Sequence, residues 1–183
     1  MVVAIQAITS LVDILQSSAY PSLSDMNVVN GLQGVLCHEL PGARLCAAWC
    51  LRQICVSQPR LLAEILNSVS KRLNEFRSSK NAVEGHSAAI SAILSATGIT
   101  PHTAIVSGTP EKILKITQDL EKPSKDKNVN LMRSKILASW FIKSGILALP
   151  EEDLQNSKIV QNIVDHIGDS FPKGDVKGNP YRL

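Results

Sequence analysis

Along most of this chain apolar side chains recur at three- and four-residue intervals, which is the spacing of amphipathic helices and not of strands. The clearest stripe is Leu62, Ile65, Leu66, Val69, Leu73 and Phe76, ringed by Lys71, Arg72, Glu75 and Arg77. It predicts a helix buried along one side. Before it, a first helix is predicted over about 2–17, stopped by Pro21. A second follows Ser24 as N-cap and carries Met26, Val29, Leu32, Val35 and Leu36, ending at Pro41-Gly42. A third runs from about 43 to 56 with Leu45, Trp49 and Ile54 among its apolar positions, closed by Pro59.

After the fourth helix, a fifth is predicted over about 81–96, with Gly98 placed to end it. An uncharged loop leads to a sixth, whose start reads as Thr109 at the N-cap, Pro110 at the first helical position and Glu111 beside it. A polar linker over 123–128 precedes a seventh helix over 129–147, carrying Ile136, Trp140 and Ile146. The eighth is predicted to open at Pro150-Glu151-Glu152-Asp153 and to bury Leu154, Ile159, Val160, Ile163, Val164 and Ile167. Residues 172–183 read as a loose tail with little to bury.

Two of these helices resemble each other. Ala43–Arg52 (ARLCAAWCLR) can be set over Ser134–Lys143 (SKILASWFIK), so that Arg44 meets Lys135, Ala47 meets Ala138, Trp49 meets Trp140 and Arg52 meets Lys143. Pro59 and Pro150 follow at the same distance from each tryptophan. The separation is about twice 45 residues, within the range of roughly 40–47 for HEAT and armadillo repeats. The fifth helix is the middle copy, with Ser87-Ala88-Ala89-Ile90 standing where the others have Ala-Ala-Trp or Ala-Ser-Trp. Small residues there let neighbouring helices approach closely. The expectation is an all-α chain: an α-solenoid of stacked antiparallel helical hairpins, about eight helices over 1–171. In it Trp49 and Trp140 occupy equivalent buried sites, and Trp49→Ala then costs about 3–5 kcal/mol.

Composition agrees with this reading and adds no chemistry. The 183 residues are 44% hydrophobic and only 4% aromatic, which argues against a β-sandwich or barrel. The net charge of +3 is too small to point to nucleic acid. No Lys or Arg precedes Arg44, whereas Lys112, Lys115, Lys122, Lys125, Lys127, Arg133, Lys135 and Lys143 crowd one region. That region reads as a solvated face, or as a patch for an acidic segment or an anionic membrane. The apolar N-terminus lacks the basic flank of a secretory signal, and 86–110 is too broken by Ser, Thr, Gly98 and Pro101 to span a membrane. The expectation is a cytoplasmic protein.

Candidate chemistry is thin. Cys37, His38, Cys46 and Cys50 could be gathered around zinc, but no Cys-x-x-Cys spacing supports it; the four cysteines, Cys55 included, read as small buried hydrophobes. His38-Glu39 is followed by Leu40-Pro41, which breaks the helix a His-Glu-x-x-His site needs. His86 and Ser87 are adjacent in a helix, so they point apart and read as packing. Glu151, Glu152 and Asp153 complement a helix dipole. No catalytic, cofactor-binding or metal residue is assigned, and no cofactor is expected.

The run Arg44–Arg52 (RLCAAWCLR), continued by Pro59–Leu73 (PRLLAEILNSVSKRL) and by Ser78–Gly85 (SSKNAVEG), resembles the HEAT-repeat-containing protein 5 family. The Trp140 segment resembles that family's next comparable helix. The resemblance covers about residues 30–170, and this chain is much shorter than the family's members. It implies a non-enzymatic scaffold, part of a large α-solenoid that works with clathrin-adaptor machinery in transport between endosomes and the trans-Golgi network, peripheral on those membranes. Another expectation, of a different class, is an armadillo/HEAT-type nuclear transport or nucleic-acid-associated carrier, which would need a basic concave groove. An enzyme ranks third. Finally, Val2, Val3, Ala4, Ile5, Ala7, Ile8 and Leu11 spread around the whole first helix, so its outer face is expected to seek cover, by self-association or a partner.

Overall fold

A computed structural model describes residues 1–15, 26–99, 108–122, 128–151, 154 and 157–170. Among them the chain is all-helical, with no strand. The helices are α1 (Val2–Leu15), α2 (Met26–Val35), α3 (Pro41–Ser57), α4 (Leu62–Glu75), α5 (Lys80–Ala96), α6 (Thr109–Glu121), α7 (Val129–Leu147) and α8 (Ser157–Ser170), with a short 3-10 turn at Pro59–Leu61. None of the described helices is long and apolar enough to cross a membrane.

Local chemistry sets most of the boundaries. Ser79 caps α5 by accepting from the Ala82 amide at 3.4 Å, and Asn128 caps α7 by accepting from the Leu131 amide at 3.1 Å. Pro41 opens α3 instead of merely ending α2, since the first helical position has no use for an amide hydrogen. Thr109 is not the cap of α6. Gly108 is, in the left-handed region at φ 82°, and Pro110 is buried in the first turn. The α5 helix gives way at Thr97, one residue before Gly98, and Gly98 does not take up a left-handed conformation. The last helix opens at Ser157, later than the acidic cluster; Glu152 and Asp153, like Ser24, the linker 123–127 and the tail 172–183, lie outside the described residues.

Helix α5 is the centre of the fold. Its most extensive contacts are with α3 on one side and α7 on the other, while α1 continues the row beyond α3. Helices α4 and α6 pack against α5 and α7 respectively, and α2 packs against α3. One hydrophobic cluster runs through all of them, from Ile5 through Leu51, Ile54, Leu66, Ile90 and Ile142 to Ile163. The α4 stripe is buried as its spacing predicts, from Leu62 to Leu73. Phe76, which caps α4, departs from it and is 45% exposed.

Two glycines permit backbone contact between helices. A Cβ on Gly85 would lie 1.9 Å from the Leu36 carbonyl oxygen, and one on Gly145 would lie 2.8 Å from Ser91 Cα. Gly85 thus brings α5 against the end of α2, and Gly145 brings α7 against α5. Polar groups tie the same elements. Glu84 accepts from Arg44 at 2.5 Å and from the Ser134 hydroxyl at 2.7 Å, joining α3, α5 and α7. Arg44, itself buried, also donates to the carbonyls of His38 and Glu39. Glu121 plays a similar part between α6 and α7, accepting from Lys143 at 2.7 Å and from Ser139.

The tryptophan expectation fails. Trp49 is 51% exposed and carries the Arg52 guanidinium 4.4 Å from its ring centroid, and Trp140 is half-buried. An indole placed on the outer side of α3 cannot be the core anchor of a repeat. The basic pairs differ too: Arg44 is buried and Lys135 half-buried, while Arg52 is half-buried and Lys143 buried. What recurs between the two segments is their covered side. Ala47 and Ala138, Leu51 and Ile142, and Cys55 and Ile146 are buried pairwise.

His86 is fully buried in α5. Its Nδ1 is 2.8 Å from the Ala82 carbonyl, which assigns the proton to Nδ1, and Nε2 has no partner. Burial pushes its pKa below the ordinary 6.5, the Ala82 bond opposes this, and Arg72 adds to it. The folded state therefore binds fewer protons than the unfolded chain once pH falls near 6.5. Stability should be full above that value and decline as pH falls through it, levelling below the folded pKa. Urea midpoints measured between pH 7.5 and 5.5 should show the decline, and His86→Leu should flatten it; an equal slope in both proteins would remove His86 as the cause.

Candidate interaction groove

On one face of the α1–α3–α5–α7 row lies a trough of about 780 Å³. Its floor is α5, which presents Ala88, Ser91, Ala92 and Ser95 at helical spacing. One wall is α3, with Leu45, Cys46, Ala48 and Trp49; the other is the end of α7, with Phe141, Ser144, Gly145 and Ala148. Gln6, Thr9 and Ser10 of α1 close the far side of α3. The trough exists because the floor residues are short while Leu45, Trp49 and Phe141 stand up beside them. Each of these three is more than half exposed.

Among the described residues the lining is apolar with a scatter of hydroxyls and carries no Asp, Glu, Lys, Arg or His. Ser95 donates to the Ala92 carbonyl at 2.7 Å and accepts from Arg52 Nε at 3.1 Å, which fixes Arg52 beside Trp49 at the rim. Thr9 donates to the Ile5 carbonyl at 2.8 Å. Such a surface can bury an apolar face and offer a few hydrogen bonds, which is the chemistry of docking a helix or an extended segment.

No family model matches this chain, and no solved structure matches it. The groove and its chemistry therefore rest on the molecule's own geometry.

The candidates named from sequence are dispersed. Cys37 is exposed, Cys46 half-buried at the trough, and Cys50 and Cys55 buried. Cys37, and Cys46 in part, thus depart from the expectation of four buried cysteines. Burial raises the thiol pKa of Cys50 and pushes that of Cys55 up to about 12, so neither is a thiolate at neutral pH. Among the described residues no group of three or more His, Cys, Asp or Glu could hold a metal ion. Ser87 donates to the Glu84 carbonyl and His86 faces Ala82, so the two share no contact.

Of the basic region, one member is withdrawn into the fold. Lys112, Lys115, Lys122 and Arg133 are exposed, Lys122 bonds Asp119 at 2.5 Å, and Lys143 is buried on Glu121. Lys125 and Lys127 lie outside the described residues. The trough itself escaped the sequence reading, which took Ala88 and its neighbours as packing residues alone. The available signal was Leu45 and Trp49 standing four apart, together with Ala88, Ser91, Ala92 and Ser95 at the spacing of one face of a later helix.

Proposed function

We propose that this chain is part of an α-solenoid of stacked helical hairpins and serves as a non-enzymatic protein-interaction scaffold. The successive packing of α1, α3, α5 and α7, with α4 and α6 behind them, supports the stacked-hairpin reading. The observation that carries the functional reading is the uncharged trough over α5, walled by exposed Leu45, Trp49 and Phe141. Combined with the resemblance to the HEAT-repeat-containing protein 5 family, it points to a partner in clathrin-adaptor-linked transport between endosomes and the trans-Golgi network. The nuclear or nucleic-acid carrier draws no support from this surface, because its lining among the described residues contains no lysine or arginine.

Pull-down from cytosol with identification of bound proteins tests the reading. Clathrin-adaptor components should be recovered with the wild-type chain. Recovery should fall about tenfold with Trp49→Ala or with Ala92→Phe, which fills the floor. Trp49→Ala should leave the fold intact at a cost of about 1 kcal/mol, since half the indole already meets water. Equal recovery by all three proteins would reject the trough as the docking site, and recovery of nuclear-import cargo or RNA instead would reject the transport assignment.

A further inference from the structure

The trough over α5 is bounded at its two ends by polar contacts of unlike kind. Between them Ala88, Ser91, Ala92 and Ser95 give a floor about 10 Å long. One turn before Ala88, on the same face of α5, Glu84 accepts from Arg44 of α3 and from Ser134 of α7, which ties the two walls together across the helix. At the other end Ser95 accepts from Arg52 Nε at 3.1 Å and Gln53 accepts from Arg52 Nη1 at 3.1 Å, with the guanidinium over the Trp49 ring. That rim therefore holds a positioned, half-buried positive charge beside an uncharged floor, and no acidic side chain is among the described lining residues.

The same surface offers little to the main chain of an extended segment. The lining comes from α1, α3, α5 and α7, helices whose backbone groups are bonded within them, so the trough has no strand edge to pair with. The Ser95 and Thr9 hydroxyls already donate to the carbonyls of Ala92 and Ile5. An extended chain pressed onto this floor would bury amide and carbonyl groups without partners, which is costly. A helix brings its own backbone hydrogen bonds and needs only an apolar face. The short floor residues let it approach α5 closely, with Leu45 and Trp49 on one side and Phe141 on the other. A carboxylate is favoured in the first turn of a helix. Pairing that carboxylate with Arg52 places the helix N-terminus over Ser95 and runs the helix antiparallel to α5.

We propose that the trough takes one amphipathic helix of a partner protein, antiparallel to α5, with apolar residues at i, i+3, i+4 and i+7 and an Asp or Glu in its first turn against Arg52. This rests on the scaffold reading and names the chemistry of the partner. The apolar stripe supplies most of the affinity, and the charge at one end fixes register and direction.

Selection of a phage-displayed library of random peptides, about four helical turns long, on the immobilised chain tests it. Ala92→Phe and Arg52→Glu serve as the two variants, and circular dichroism verifies that each keeps its helix content. Wild type should enrich proline-free sequences with the helical apolar stripe and an acidic residue on its N-terminal side. A synthetic peptide of that sequence should bind about tenfold more weakly to either variant, and selection on Arg52→Glu should enrich Lys or Arg at the acidic position. Undiminished binding to Ala92→Phe would reject the trough and the scaffold reading's docking site with it. Binding that Ala92→Phe weakens, but that selects alternating or proline-bearing sequences or ignores Arg52→Glu, would keep the trough and overturn the helix. Selected peptides matching this chain's own helices would make the occupant a second copy. A library that enriches nothing, whether or not the trough then takes up laurate as an acyl chain, overturns the proposal as well.

Discussion

Glu84→Ala should lower the unfolding free energy by about 3 kcal/mol, among the largest effects of any single substitution in this chain. The carboxylate is the acceptor shared by Arg44 and Ser134, with Lys80 3.9 Å away. Removing it leaves the Arg44 guanidinium, whose side chain is 6% exposed, without a counter-ion. Breaking a buried pair from one side typically costs about 3–5 kcal/mol. The lower end applies because the carbonyls of His38 and Glu39 still accept from Arg44. An Arg44→Met, Glu84→Leu double variant should lose less than the two single losses combined, since no charge is stranded. Urea unfolding checks both statements. A Glu84→Ala protein within about 0.5 kcal/mol of wild type would show that Arg44 reaches water when its partner is removed.

The second large effect is next along the chain. Gly85→Ala places a methyl group where the Leu36 carbonyl oxygen is 1.9 Å away and its carbon 2.8 Å away. Both are backbone atoms at the end of α2, so relief requires α2 and α5 to separate. Alanine ordinarily stabilises a helix interior by about 1 kcal/mol relative to glycine. Here the crowding should reverse the sign and destabilise by about 2 kcal/mol. Gly31 on α2 is the control, because a Cβ there meets nothing within 4 Å. Gly31→Ala should raise the melting temperature while Gly85→Ala lowers it. Equal signs would mean that the two helices do not touch where Gly85 places them.

Particular elements show how far the sequence could be read. The stripe from Leu62 to Leu73 and the bounds of α7 were legible, because periodicity and a flanking polar linker are local signals. Helix α7 was legible as a helix but not in its orientation. With Leu131, Ile142 and Ile146 on one side and Met132, Ile136 and Phe141 on the other, it carries large apolar residues on both sides, and no local rule selects which side is covered. The same ambiguity misplaced Trp49. The Glu84 bridge spans 40 residues to Arg44 and 50 to Ser134, so only the packing of three helices reveals it. The trough was hidden for a related reason. It is built from volume that is absent, and short side chains read equally as close packing or as a floor. Gly108 was missed as the α6 cap because Thr109 is the better hydrogen-bonding residue, whereas the turn required a left-handed backbone.

The sealed thiols of α3 give the molecule an internal clock. Cys55 is fully buried with its pKa pushed up to about 12, while Cys37 lies open on the surface. An alkylating reagent can reach Cys37 at once, but it reaches Cys55 only in the moments when α3 parts from the helices around it. The ratio of the two labelling rates therefore counts how often the centre of the row breathes, with no probe added. An occupant of the trough, held partly by Trp49 on the same helix, would slow that count even where it leaves the melting temperature unchanged.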